Sequence, residues 1–171
     1  MFKATAYIVG PADGPGAALT EMARHLGFEA VLPFAGVQLA EQQLARTPLI
    51  FFLFAAVNDV ASLKHHADAL RFCPSRKLRL SPLVYFSESP SLDGIRACAA
   101  MGFDDVVTLP FGRERVTARL ARQINRAIPY CEGRDYVGPD RRSAGAAPVR
   151  RFDLTRTATD GAIISNDARA A

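Results

Sequence analysis

The sequence predicts an α/β fold, a doubly wound sheet of five parallel strands with helices on both faces, followed by an irregular C-terminal tail. Three observations carry this reading. Short apolar runs alternate with helical stripes from residue 4 to residue 127 without interruption. Leu49 to Val57 is apolar throughout, as a strand covered on both faces must be. Residues 95–111 run helix, tight turn, strand, stop: Ile95, Cys98 and Ala99 form a stripe ending at Gly102, which suits a left-handed cap. Val106 and Val107 then begin a buried strand that Pro110 closes.

The elements follow in order. Ala4 to Val9 is a strand closed by Gly10-Pro11, and Ala17, Leu19, Met22, Ala23 and Leu26 supply a helix stripe that Gly27 ends. Glu29 to Leu32 or Pro33 is a second strand, and Val37 to Ala45 a weaker helix. After the apolar third strand, a helix from Asp59 to Leu70 places Val60, Leu63 and Ala67 inward, with Asn58 or Asp59 as its cap. Cys73 to Ser81 is expected to be a basic, mobile connection. Leu83 to Phe86 is the fourth strand, the Ile95 helix and Val106 strand follow, and Val116, Leu120 and Ile124 mark a last helix over residues 113–127. The predicted boundary falls at residue 128, with residues 1–128 a domain and 129–171 an extension, partly ordered or disordered.

Composition excludes several classes. At 171 residues and 49% hydrophobic, one substantial core fits and a second ordinary domain does not. No run approaches a membrane span, and the start leads straight into a strand, so membrane insertion is not expected and the predicted location is cytoplasmic. Three scattered cysteines suggest neither a disulfide framework nor a metal site, and no cofactor is expected. The net charge of +4 is modest: residues 1–128 hold 14 Lys and Arg against 11 acids, and the rest seven against six. Nucleic acid is therefore a less favoured partner. The first turn has several glycines but lacks the G-x-G-x-x-G spacing, and its prolines remove amides that would hold a dinucleotide.

Residues 99–111, Ala-Ala-Met-Gly-Phe-Asp-Asp-Val-Val-Thr-Leu-Pro-Phe, and the fourth-strand segment Pro82 to Ser87 resemble the receiver (CheY-like) domain of two-component response regulators. The resemblance covers roughly residues 3–128 and implies a flavodoxin-like strand order with the third strand central. It also implies where the phosphorylation groups belong. The metal-binding acids fall on Gly10 and Pro11, the phosphoacceptor on Leu53 or Phe54, and the lysine on Leu109; only the switch hydroxyl survives, as Ser87. Phosphoryl transfer needs positioned charge, which glycine, proline and large apolar side chains do not supply. Asp13 and Asp59 lie near enough to be weighed as substitutes, but read better as a loop acid and an N-cap. Asp104 and Asp105 precede their strand, at the sheet end opposite such a pocket.

The expected function is thus a degenerate receiver with no catalytic residues: a phosphorylation-independent signalling or regulatory protein acting by protein–protein contact. Its partner would be another signalling protein or a second copy, giving a dimer. Arg115, Arg119, Arg122 and Arg126 recur at four, three and four residues and line one side of the last helix. The resemblance implies that the fourth-helix, fifth-strand, fifth-helix face is the contact surface, with Asp93, Arg96 and Ala97 exposed there while Ile95 and Ala99 face the core. A second class of function rests on the tail. Tyr136, Arg141, Arg142, Arg150 and Arg151, with Phe152, have the chemistry to bind a phosphodiester such as a cyclic dinucleotide or nucleic acid. Gly161 to Ser165 offers a small strand or a self-association segment.

Overall fold

The computed structural model describes residues 2–89, 91–108, 110, 112–141 and 150–168. Its N-terminal part alternates β1 (Phe2–Val9), α1 (Gly14–Leu26), β2 (Phe28–Pro33), α2 (Val37–Gln43), β3 (Ile50–Phe54), α3 (Lys64–Arg71), α4 (Arg76–Arg79), β4 (Leu83–Ser87), α5 (Leu92–Ala100), β5 (Asp105–Thr108) and α6 (Arg113–Ala121). The five strands pair in parallel in the order β2-β1-β3-β4-β5, so the apolar third strand is central, as expected.

The absence of polar alternation in β3 has a direct cause. Phe51 and Leu53 enter a core beneath α1 and α6 with Leu19, Ala23, Val116 and Leu120. Ile50, Phe52 and Phe54 enter a second core on the other face with Ala67, Leu70, Cys98 and Phe103. Both faces are covered, so every position is apolar. Tyr7 of β1 pairs with Phe52 and stacks on it at 5.7 Å, the kind of cross-strand contact that fixes register.

Gly27 and Gly102 each adopt φ +79°, the left-handed geometry foreseen at Gly102. At Gly102 there is a second reason: a Cβ would lie 2.2 Å from the Val137 carbonyl oxygen, so only glycine lets the following chain pack this closely.

Four elements differ from the sequence expectation. The helix expected from Asp59 opens as a 3-10 turn at Val60–Leu63, held by Asp59 Oδ1 accepting from Ala61 N at 2.9 Å, before α3 begins. The connection over residues 73–81 is not a loose linker, because α4 buries Leu78 and the next turn buries Leu80. On α5, Ile95 is 40% exposed and Ala97 packs toward the core, the reverse of the expected facing; Cys98 is the buried anchor. The last helix stops at Ala121 instead of residue 127, since Asn125 takes φ +57° and its N–H donates to the Arg156 carbonyl.

The largest difference is the extension, which is not irregular. β6 (Ala127–Glu132), β7 (Val137–Pro139), β8 (Arg150–Thr157) and β9 (Gly161–Ala168) form an antiparallel sheet in the order β7-β6-β8-β9. The small strand foreseen at residues 161–165 is part of β9. Ile128, Tyr130, Val137, Phe152 and Leu154 build this sheet's own core, and Leu80 from the parallel-sheet domain completes it. Pro129, a natural stop signal, lies inside β6 with its carbonyl accepting from Asp140 N at 2.9 Å.

Candidate functional site

The C-terminal edge of the parallel sheet is where an open α/β fold keeps its working groups. Here the side chains that end β3 and β4 are buried. Leu53 and Phe54 are both fully buried, one in each core. Phe54 meets Phe103 edge to face at 4.7 Å. Gly10 has φ +148°, and a Cβ on it would come within 2.9 Å of Ala55 Cβ, so the end of β1 approaches β3 too closely for a carboxylate. Pro11 is exposed, and its carbonyl fills the space where Gly16 would carry a side chain. Ser87 ends β4 opposite Thr108 and is 7% exposed. Leu109 lies outside the described residues.

Neither substitute acid lines the cleft that opens beside this edge. Asp59 caps its 3-10 turn, as expected, while Asp13 stands at the N-cap position of α1 without a side-chain cap bond. A cleft of about 390 Å³ opens beside the edge, bordered by Val57, Asn58, Tyr85, Ser87, Ser91 and Ile95. Among its described lining residues, Glu88 is the only charged one. Among the described residues no three His, Cys, Asp or Glu side chains gather as metal ligands.

The concentrated electrostatics lie at the opposite end. The side chain of Asp104, just before β5, is fully buried; its Oδ2 accepts from Arg71 Nη2 at 2.8 Å and from Leu83 N at 2.9 Å, and its Oδ1 from Arg156 Nη2 at 2.8 Å. Arg71 also donates to the carbonyls of Gly102, Arg79 and Ser81, and Arg156 donates to the Leu80 carbonyl at 2.7 Å and the Tyr130 hydroxyl at 3.2 Å. Both guanidiniums lie over the Tyr130 ring, 5.8 and 5.3 Å from its centre. Burial alone would push the Asp104 carboxyl up, but Arg156, Arg71 and the Leu83 N–H together hold it below the usual carboxylate range. Burial pushes the Tyr130 phenol well up. Because Arg156 belongs to β8 and Tyr130 to β6, this network bolts the antiparallel sheet to the base of the parallel one.

The arginine stripe does not remain one surface. Arg115, Arg122 and Arg126 are exposed, but Arg126 follows the end of α6. Arg119 turns back onto β5, where Nε donates to Asp105 Oδ2 at 2.8 Å, Nη2 bonds Asp105 Oδ1, and Nη2 reaches the Val106 carbonyl at 3.1 Å. Those bonds raise its pKa. Arg96 is exposed on α5 and pairs with Asp93 at 3.6 Å. We expect Arg119→Glu to cost about 1–3 kcal/mol by severing charged hydrogen bonds, and Arg122→Glu to stay within about 0.5 kcal/mol; thermal melts of both variants measure the contrast.

The tail arginines are likewise separated. Arg141 Nη2 donates to the Phe103 carbonyl at 2.6 Å, Arg151 pairs with Asp140 at 3.3 Å, and Arg150 lies near Glu132 and over the Phe152 ring. Strand alternation sends neighbours 150 and 151 to opposite faces of β8, so they cannot act as one fork. Tyr136 donates to the Pro139 carbonyl at 2.9 Å, spanning β7, and its own carbonyl accepts from Gly133 N at 2.8 Å in the turn before that strand. Arg142 lies outside the described residues. Arg71, Glu132 and Arg156 were not foreseen from sequence. A usable signal existed for Arg156, which continues the alternation Phe152, Leu154 on the inward face.

No protein-family model and no curated protein matches the chain. Among solved structures it is similar to a CheY-like protein (tadZ) from Pseudomonas aeruginosa PAO1, with 15% identity, a TM-score of 0.52, and 69% of this chain aligned to 98% of that one. A response regulator in red light signaling of R. palustris aligns over 69% of this chain and 89% of its own at 13% identity, with a TM-score of 0.41. At such identity the first likeness speaks to fold alone, and with the strand order above it shows a receiver-like fold. Among the described residues no helix is long and apolar enough to cross a membrane.

Proposed function

We propose that this chain is a non-catalytic cytoplasmic signalling or regulatory protein that acts by binding another protein or a second copy of itself, independently of phosphorylation. The observation that carries this reading is the packed edge of the receiver-like sheet. Gly10 against Ala55, with Leu53 and Phe54 both fully buried, leaves hydrocarbon where a phosphorylated receiver needs charge. Output then belongs to a surface. The short helix α4 is additional to the predicted set, so the expected contact face corresponds here to α5, β5 and α6. Leu92 and Ile95 are exposed on it, 62% and 40%, beside Arg96, Arg115 and Arg122. Exposed apolar and basic side chains on these elements suit a partner carrying an apolar anchor among acids.

Two measurements test the two halves of the reading. With Mg²⁺ and acetyl phosphate, intact-mass spectra should show no phosphoryl adduct, and beryllofluoride should leave the amide NMR spectrum unchanged; a stoichiometric adduct lost on changing Asp13 or Asp59 would overturn it. Arg115→Glu with Arg122→Glu should weaken partner capture or self-association about tenfold or more with an unchanged melting curve. Indifference of both sedimentation and pull-down to that double change would remove this face from consideration.

A further inference from the structure

β4 ends in two hydroxyls that the fold leaves short of partners. Strand alternation puts Tyr85 and Ser87 on one side and Phe86 on the other, where Phe86 joins the core beneath α1. Tyr85 and Ser87 both border the cleft of about 390 Å³, although they are only 3% and 7% exposed. The Tyr85 hydroxyl accepts a long bond of 3.5 Å from Val57 N and donates to no described residue. The Ser87 hydroxyl has no hydrogen-bond partner among the described residues. It is not sealed in, since Arg79 Nε is the only described side-chain nitrogen or oxygen that is both shut from solvent and unpartnered. The Ser87 hydroxyl therefore opens into the cleft. A second cleft of about 220 Å³ on the α1 side, walled by Ala18, Leu19 and Met22, shares Pro15, Ala56, Ser87 and Glu88 with the first, so Ser87 stands where the two meet.

A buried donor without an acceptor selects for an oxygen that can take its proton. Charged oxygens are disfavoured here. Glu88 is the only charged described residue lining either cleft, and Asp93 adds a second negative charge in the first turn of α5. The cap of that helix is already made, with Ser91 Oγ accepting from Gly94 N at 2.9 Å. A carboxylate or phosphate would meet like charge. An ammonium would have to shed water among Val57, Val60, Ile95 and Val106, for the attraction of an exposed and hence well-screened carboxylate. We propose that this cleft binds an uncharged small molecule with an apolar body and a carbonyl oxygen, the oxygen accepting from the Ser87 hydroxyl, with Tyr85 as a second donor on the same wall. The volume falls within the span of small-molecule sites, about 300–1,000 Å³. Ile95 borders the cleft and is also exposed on the proposed contact face, so occupancy and partner binding would share one side chain.

The test is an NMR titration of the full chain with three probes on one carbon skeleton, 3-phenylpropanamide, 3-phenylpropanoate and 3-phenylpropylammonium, following the amide signals of Val57, Ser87 and Gly94. Saturable shifts with the amide are expected, and binding at least about tenfold weaker for the two ions. Ser87→Ala should weaken the amide about threefold to tenfold, the loss of one hydrogen bond, without lowering the melting temperature, because in the free chain that hydroxyl bonds nothing. If the ketone 4-phenylbutan-2-one binds as tightly as the amide, the carbonyl oxygen alone is recognised; a tighter amide means that its NH₂ group adds a contact. Either result supports the proposal. Absence of saturation by both uncharged probes, an ion that binds as tightly as the amide, or a Ser87→Ala chain that melts lower or binds the amide equally well would overturn it. The titration uses no partner, so its failure leaves the contact face untouched.

Discussion

Replacing Asp104 with Asn is expected to lower the free energy of unfolding by about 3–5 kcal/mol, because the substitution leaves Arg71 and Arg156 buried without their shared counter-charge. The side chains of both arginines are 1% exposed and that of the aspartate 0%, so water cannot step in. Against a total stability of about 5–15 kcal/mol for a domain of ordinary size, this is a large fraction. Chemical denaturation of the two proteins at neutral pH measures it. Arg156→Leu combined with Asp104→Asn should cost less than the sum of the single changes, since removing one stranded cation relieves part of the penalty.

The same carboxylate sets a pH dependence. Its folded-state pKa lies below the ordinary value of 3.8, so the unfolded chain binds the proton more readily. The stabilisation it supplies is therefore complete above the ordinary carboxylate range and is lost as pH falls from there through the lowered folded value. Acid unfolding should accordingly be less steep in Asp104→Asn than in the unaltered chain. Loss of the ion network would also loosen Arg156 from the Leu80 carbonyl, so amide exchange in β8 and in the turn before β4 should rise together.

What could be read from sequence follows from the range of the interactions involved. β3 was legible because Leu49 to Val57 contains no polar residue, and two-sided burial is the reason. Gly27 and Gly102 were legible because left-handed backbone is a local demand. Asp104 could be placed at the sheet end away from the pocket, but not paired, since its partners lie 33 and 52 residues away. The antiparallel sheet was hidden by Pro129 inside β6 and by Arg156 on an inward position, where a charge breaks the apolar alternation until its buried partner is known. The arginine period in α6 was real as far as Arg119, but periodicity does not reveal that Asp105 captures this side chain or that the helix ends two residues later.

At the other end of the sheet, installing a phosphoacceptor should unfold the domain instead of activating it. Leu53→Asp would put a carboxylate into the core formed with Leu19, Ala23, Val84 and Leu120, and Phe54→Asp would put one among Leu70, Cys98 and Phe103. Each change removes the packing of a fully buried side chain and adds an ion to an apolar core, so we expect a loss of about 4 kcal/mol or more. Leu53→Ala separates the two costs. It should lose only the cavity part, about 2–5 kcal/mol, and remain less impaired than Leu53→Asp at neutral pH. Lowering the pH should narrow that difference, because burial raises the introduced carboxyl's pKa and protonation removes the charge while leaving the lost packing unrepaired. Melting curves of the unaltered chain, Leu53→Ala and Leu53→Asp across the acid range measure both terms. A Leu53→Asp protein as stable as Leu53→Ala at neutral pH would mean that water or a cation reaches the end of β3, and the packed-edge argument for phosphorylation independence would fail with it.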